Sequence, residues 1–263
     1  MVKIALVALA LVSPAYAHDT WLQAPRLPIA SGSTVLFELT SGGAFPSLDH
    51  AVDPGRIARE GIRVGGMTRR FKMRSRGKEA LRLQVPLAVE GVAVAFVSLK
   101  PQPLELKPAQ VEEYLAEIGE RERVGPDWKR GPRKWREVYR KHAKTFLRVG
   151  QAGGSPGAWS DPVGLDLEIV PERDPTALQP GDAFEVTVLR SGQPMPGFTL
   201  AATDGRERRF QRTDGEGRAT IRLDRPGRWL LAGTWLRRAS RPDAEWESDF
   251  TTLTLQVGAM EGP

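Results

Sequence analysis

The sequence predicts a mainly β protein made of two β-sandwich domains, the first with a helical pair inserted near its C-terminal end. Two patterns predict it: short apolar segments alternate with Gly- and Pro-containing turns, and a basic, helix-periodic stretch interrupts them. The chain of 263 residues has no cysteine, which excludes disulfides and thiolate metal sites. Packed apolar cores therefore have to hold the fold together.

The N-terminus has the pattern of a secretory signal peptide. Lys3 precedes the apolar residues 4–12, and Ala15-Tyr16-Ala17 has the small-x-small pattern of a cleavage site. The apolar run has about half of the roughly 20 residues that a membrane-spanning helix needs. We therefore expect residues 1–17 to be removed, the mature chain to begin at His18, and the protein to be periplasmic.

The first domain is predicted over residues 18–150 as a β-sandwich. Residues 92–99 are apolar on both faces and contain no Gly or Pro, which indicates a central strand. The shorter candidate strands are residues 34–39, 61–64 and 80–85.

A helical insertion is predicted over residues 108–147 or so. Pro108 opens the first helix, where apolar residues recur at helical spacing. The second helix is predicted from about residue 132 to 147. Its larger side chains fall at helical spacing on one side: Trp135, Val138, Tyr139, His142 and Phe146.

The second domain is predicted over residues 164–258 as an immunoglobulin-like β-sandwich, after a linker at 151–163 that is rich in Gly, Ser, Pro and Ala. Explicit turn sequences separate its candidate strands. These strands are residues 165–170, 183–189, 199–203, 219–223, 229–235 and 250–257.

The charge and the motifs limit the possible functions. The net charge is +6, but export makes nucleic acid an unexpected partner, so an anionic lipid, glycan or protein surface is the better expectation. The sequence lacks the nucleophile elbow of serine hydrolases, the phosphate-binding loop and the His-Glu-x-x-His helix. We therefore predict no enzyme activity from motifs.

Histidine supplies the strongest chemical signal, because the chain has only three. A terminal His18 offers its free amine and its imidazole, which together close a chelate ring on a metal ion. Nitrogen donors of this kind favour copper and nickel most, and zinc or cobalt less. The alternative is that His18 follows the cleavage site by accident.

The other two histidines differ in their expected surroundings. His50 follows a glycine-rich loop beside Asp49, so it is a candidate second ligand, with Asp49 either a further ligand or the group that orients His50. A polar surface histidine is an equally simple interpretation of His50. His142 is the weakest candidate ligand, because a histidine on the buried side of a helix more often packs or hydrogen-bonds locally.

An ordered set of segments resembles a periplasmic domain-of-unknown-function family related to nickel and cobalt uptake components. The set begins with His18-Asp19-Thr20-Trp21-Leu22 and continues with Glu113-Tyr114-Leu115 and the segment 139–150. Its later members are residues 164–171, 181–182, 192–197, 213–218 and 250–255. The resemblance implies a two-domain periplasmic β protein associated with transition-metal uptake, whose partners are the metal ion and a membrane transporter component.

Three functions follow from these observations. The first is capture or delivery of nickel, cobalt or copper through His18 with His50. The second is a copper-dependent oxidative enzyme, since lytic polysaccharide monooxygenases use a terminal histidine and another histidine on a β-sandwich. The third is a non-catalytic envelope interaction module in which His18 has no metal role.

Overall fold

The computed structural model describes residues 18–25, 29–131, 134–150 and 159–258. The predicted signal peptide and residues 151–158 of the predicted linker lie outside the described residues. Within these ranges the fold is mainly β with two helices, which confirms the predicted fold class. None of the helices described here is long and apolar enough to span a membrane.

The strands predicted from the sequence are all present, with ends that differ by up to four residues, and others are added. The elements are β1 Asp19–Gln23, β2 Thr34–Gly42, β3 His50–Ala51, a 3₁₀ turn Pro54–Arg56, β4 Ile57–Val64, β5 Met67–Arg69, β6 Met73–Arg76, β7 Leu81–Pro86, β8 Gly91–Leu99, β9 Gln102–Leu106, α1 Pro108–Glu117, α2 Arg121–Arg130, β10 Trp135–Val149, β11 Leu167–Pro171, β12 Asp182–Arg190, β13 Gln193–Pro194, β14 Thr199–Thr203, β15 Arg208–Arg212, β16 Arg218–Leu223, β17 Gly227–Arg238 and β18 Trp246–Val257.

The described strands form three sheets. Sheet A has the order β1-β2-β7-β6, with β3 beside β2. Sheet B has the order β15-β14-β17-β18-β10-β8-β4-β5, with β9 beside β10. Sheet C has the order β11-β12-β13, with β16 beside β12.

Sheet B lies between the other two sheets, and β8 shows why. Successive side chains of a strand point to opposite faces, so an apolar strand without polar alternation has to be covered on both. One set of β8 side chains packs in the core with sheet A and the other set in the core with sheet C. The prediction that residues 92–99 form a central strand is therefore confirmed. The two sets are Ala93, Ala95, Val97 and Leu99, and Val92, Val94 and Phe96.

The predicted helix over residues 132–147 is wrong, because the described part of this segment forms the long strand β10. β10 pairs with β18 in parallel on one side and with β8 and β9 on the other. Most of its residues are buried on both faces, so no polar alternation marks the strand. The helical pair is instead α1 and α2, which cover residues 108–130 rather than 108–147, and α2 runs through Pro126.

Sheet B also joins the two predicted domains. β10 belongs to the predicted first domain and β18 to the second, yet they pair over nine register positions from Glu137↔Trp246 to Thr145↔Thr254. The domain boundary at 151–163 and the immunoglobulin-like character of 164–258 stay predictions. The shared sheet means that both segments contribute to one hydrogen-bonded framework.

Candidate metal centre

Strand pairing in sheet A places His18 and His50 at the same end of β2. Ser41 of β2 is opposite Thr20 of β1 on one side and opposite His50 of β3 on the other. The Thr20 and Ser41 hydroxyls are 2.6 Å apart and hydrogen-bond to each other. His18 immediately precedes β1, so β2 acts as the spacer between the two histidines.

Gly42 makes room for the site, and Gly43 lies beside the His18 ring at an ordinary contact distance. A Cβ added to Gly42 would lie 2.7 Å from Cβ of Asp49 and 3.2 Å from the Trp21 ring. At the shorter distance one of the two residues would have to move. A Cβ added to Gly43 would lie 3.5 Å from Cδ2 and Nε2 of His18. Gly42 therefore permits the close approach of Asp49 to β2.

Hydrogen bonds from β2 and the segment before β7 hold the Asp49–His50 segment. The Asp49 amide donates to the Thr40 hydroxyl at 3.1 Å, and that hydroxyl donates to the Glu79 carbonyl at 2.7 Å. The Ala51 amide donates to the Lys78 carbonyl at 3.1 Å. The backbone that carries Asp49 and His50 is thus fixed from two directions.

The buried Phe45 anchors the loop that leads from Gly43 to Asp49. Its ring packs edge-on against the Trp21 ring, with the centroids 5.6 Å apart, in a small core with Leu230 and Ala232 of β17. The loop is therefore attached to sheet B as well as to β1.

His18, Asp49 and His50 form a compact group of ligand-type side chains. Each offers one ligand atom, and these three atoms lie within 4.8 Å of one another. The centroids of the two imidazole rings are 6.3 Å apart, and Nδ1 of His50 lies 2.8 Å from Oδ1 of Asp49. His18 and Asp49 are half-buried, whereas the His50 side chain is 70% exposed.

The protonation state of His18 suits metal binding. Burial, and after it the Lys141 ammonium, lower the pKa of His18 below its usual 6.5, although Asp49 acts in the opposite direction. The imidazole is therefore neutral at pH 7, the form that coordinates a metal ion.

Two side chains of sheet B hold the backbone of His18 and the side chain of Asp19. Nζ of Lys141 on β10 donates to the His18 carbonyl at 2.5 Å. The Asp19 carboxylate accepts a hydrogen bond of 2.8 Å from Arg208 of β15. Sequence reasoning missed both contacts, because they join residues more than 120 positions apart.

A polar cleft of about 200 Å³ borders the site. It lies between the loop after β2 and the turn from β14 to β15, and Asp19, Gly43, Phe45, Arg206 and Arg208 are among its lining residues. The cleft is lined by Asp19, which follows His18 in the chain, and by Gly43, which lies beside the His18 ring, so it opens next to the cluster.

His142 is not part of this cluster. Its side chain is 1% exposed, and its Nε2 lies 4.0 Å from Oδ1 of Asp249. Burial lowers its pKa, against the opposing effect of Asp249. On β10 it follows Lys141 directly, so it points to the opposite face of the strand. The predicted burial of His142 is confirmed, but on a strand and not on a helix, and its role stays a prediction.

Fold and site together define a multi-sheet β protein with a small histidine–carboxylate cluster near its surface. The chain belongs to the family described as "Domain of unknown function (DUF4198)", whose model matches residues 15–236. No curated protein matches the chain.

The solved structures to which the chain is similar share little sequence with it. The D0-D1 domain of intimin is 10% identical, with 89% of this chain and 97% of that chain covered and a TM-score of 0.22. The fibronectin(III)-like modules of Clostridium thermocellum CbhA are 10% identical, with 92% and 97% covered and a TM-score of 0.20. A Ca²⁺-stabilised ice-binding adhesin of an Antarctic bacterium is 10% identical, with 92% and 50% covered and a TM-score of 0.24. At these TM-scores the similarities support no functional conclusion.

Proposed function

We propose that this is a periplasmic transition-metal-binding protein that holds nickel, cobalt or copper through His18 and His50, with Asp49 as a third ligand or as the group that orients His50. The observation that carries the proposal is the convergence of these three side chains, with ligand atoms within 4.8 Å of one another. The histidines are 32 positions apart, so this proximity results from strand pairing and not from local sequence.

The donor set fits such an ion. Imidazole suits nickel, copper and zinc, and a single carboxylate is compatible with each of them. Two ligand atoms that bind one ion at about 2.1 Å lie at most about 4.2 Å apart. The three ligand atoms lie within 4.8 Å of one another, a bound that is close to this limit, and the exposed His50 side chain allows the final adjustment.

The predicted processing adds a further donor. After cleavage behind Ala17, His18 has a free amine, and the amine with Nδ1 of the same residue closes a six-membered chelate ring. With His50 this arrangement offers three nitrogens, which favours copper and nickel over metals that prefer oxygen. The resemblance to nickel and cobalt uptake components supports a role in delivering the ion to a membrane transporter.

A copper-dependent oxidative enzyme is the second candidate. The observation that favours it is the pair of neighbouring imidazole rings, one of them on the predicted terminal residue, with centroids 6.3 Å apart. Oxygen consumption by the copper-loaded protein with a reductant separates the two functions. A delivery protein consumes no more oxygen than the same amount of copper bound to a peptide with a terminal histidine.

The decisive experiment is a calorimetric titration of three proteins with nickel, cobalt, copper and zinc. These are the chain that begins at His18, the same chain with one alanine before His18, and the His50→Ala variant. We expect the first to bind most tightly and the other two to lose affinity. The His142→Phe variant is the matched control, since His142 lies outside the cluster, on the face of β10 opposite to Lys141. This variant should bind like the parent.

Other outcomes lead elsewhere. Equal binding by the first two proteins would show that the terminal amine is no ligand. The absence of binding by all of them would exclude the metal function and leave an envelope interaction module, to be tested with glycan and protein partners.

A further inference from the structure

Lys141 is a buried lysine. Among the residues that the structure describes, its ammonium hydrogen-bonds only to the backbone carbonyl of His18. Its side chain lies on β10, and the residue is 7% exposed. Within the described ranges no carboxylate lies within 4.0 Å of its ammonium. Lysines are almost never fully buried unless they are paired, so this position has an energetic cost that packing alone does not explain.

Two aromatic rings lie beside the Lys141 ammonium, and the charges of Asp19, Arg56, Glu117 and Glu137 also act on it. Its Nζ lies 5.3 Å from the centroid of the Tyr139 ring and 5.4 Å from that of the Phe250 ring. Burial lowers the pKa of Lys141 to about 8, although Asp19 raises it. An apolar side chain of similar length would fill this space without a charge. Besides the contacts with the two rings, the lysine adds the hydrogen bond to the His18 carbonyl.

The hydrogen bond acts where a mature chain would otherwise be loose. Terminal residues are usually poorly ordered unless something ties them down. The pairing of β1 with β2 begins at Asp19, one residue after His18. A fixed carbonyl restricts rotation about the Cα–C bond of His18, and the Cα atom carries both the terminal amine and, through Cβ, the imidazole. A preorganised chelate loses less conformational freedom when it binds.

We infer that Lys141 is a positioning residue for the metal centre: it holds the His18 carbonyl and thereby orients the two nitrogen donors of that residue. The inference rests on the proposed metal function. Lys141 itself donates no electron pair to the ion. What it orients is the chelate of amine and imidazole, and this chelate exists only when the terminal amine belongs to residue 18.

The test is a double-variant cycle with copper(II) as the probe. Lys141→Met and the parent are each prepared with His18 as the first residue and with one alanine before it. In the processed form we expect Lys141→Met to raise the Kd by about 10- to 100-fold, the range typical for groups that orient a ligand. In the extended form, whose chelating amine is displaced, the substitution should change the Kd by less than about threefold.

A spectroscopic measurement separates positioning from general destabilisation. The electron paramagnetic resonance spectrum of bound copper(II) should show fewer or more heterogeneous nitrogen couplings in processed Lys141→Met than in the parent. Circular dichroism confirms that each variant is folded. Lys141→Gln keeps a donor and should recover part of the affinity. It also carries the test if Lys141→Met does not fold.

The outcomes are distinguishable. Processed parent protein that binds no copper overturns the proposed function. If the processed parent protein binds copper and both Lys141→Met and Lys141→Gln bind it as tightly as the parent, the positioning role alone is overturned. An equal loss of affinity in the processed and extended forms of these variants also overturns it, because the effect would then be independent of the terminal amine.

Discussion

Two lysines on β10, three positions apart, are buried on opposite faces of the strand and have different partners. Lys144 donates to Oε1 of Glu168 at 2.7 Å, so its charge is paired with a buried carboxylate. Lys141 donates to one backbone carbonyl. The first arrangement is what a structural ion pair needs. In the second arrangement, a buried charge holds the backbone of a single residue, His18.

Glu168, the partner of Lys144, also accepts hydrogen bonds from the backbone. Glu168 accepts hydrogen bonds of 2.8, 2.9 and 3.0 Å from the amides of Val163, Gly164 and Leu165. These contacts tie the beginning of the segment that follows the predicted linker to the middle of sheet B. The Lys144 face of β10 therefore serves the fold, whereas the Lys141 face serves the candidate site.

The largest expected effect distinguishes the two lysines by stability. Lys144→Met leaves Glu168 buried without a counter-charge and should lower the free energy of unfolding by about 3–5 kcal/mol. Lys141→Met removes one hydrogen bond and a charge that has no carboxylate partner, so it should lower that free energy by about 1 kcal/mol or less. Urea unfolding followed by circular dichroism measures both.

A second variant checks the cause of the Lys144 effect. Adding Glu168→Gln to Lys144→Met removes the unpaired charge and keeps an acceptor oxygen, so part of the lost stability should return. If the double variant is no more stable than Lys144→Met, the cost arises from packing and not from charge.

The next effect distinguishes the two faces by metal affinity. His18→Ala should weaken copper or nickel binding by more than the roughly 10- to 100-fold typical for loss of an orienting group, because it removes a ligand. His142→Phe, on the face that serves the fold, should leave the Kd within a factor of about three, an allowance for a shifted β10. Titration calorimetry compares the two. A large loss in His142→Phe would place the metal on the other face.

The smallest effect concerns the pH dependence of the fold. Burial opposes ionisation of Glu168, but Lys144 and the amides of Val163 and Leu165 together lower its pKa below the usual 4.5. A lowered carboxyl pKa contributes stability above the unfolded value, and this contribution is lost as the pH falls through the folded value. The melting temperature should therefore decrease below about pH 4.5. It should decrease less steeply in the double variant Lys144→Met, Glu168→Gln, and equal slopes would contradict this assignment.

The sequence predicted strands well where one face is polar or where the run is apolar throughout. β8 was recognisable because an uninterrupted apolar run needs cover on both faces. β10 was not, because Lys141, His142 and Lys144 are buried among apolar residues and its aromatic residues also fit helical spacing. A polar residue buried by a tertiary partner removes the alternation on which strand prediction depends.

The candidate site was predictable in its residue types but not in its geometry. The sequence singled out His18, His50 and Asp49 by rarity and by position. It contained no sign that Lys141 lies under His18, or that Gly42 has to be glycine so that Asp49 can approach β2. Those contacts depend on which strands pair and in which register, and register is a property of the assembled sheets.

The amino-acid sequence is enough to predict a mainly β chain, and it shows the basic charge, the lack of disulfides and the positions of the three histidines. These properties follow from composition and from short-range periodicity. The tertiary structure alone decided that His18, Asp49 and His50 converge, and that His142 does not join them. β2 lies between β1 and β3 and pairs with both, which brings His18 and the Asp49–His50 segment together. Consecutive side chains of β10 point to opposite faces of the strand, which keeps His142 away from the face of Lys141. Proximity here is therefore decided by strand pairing and not by distance along the chain.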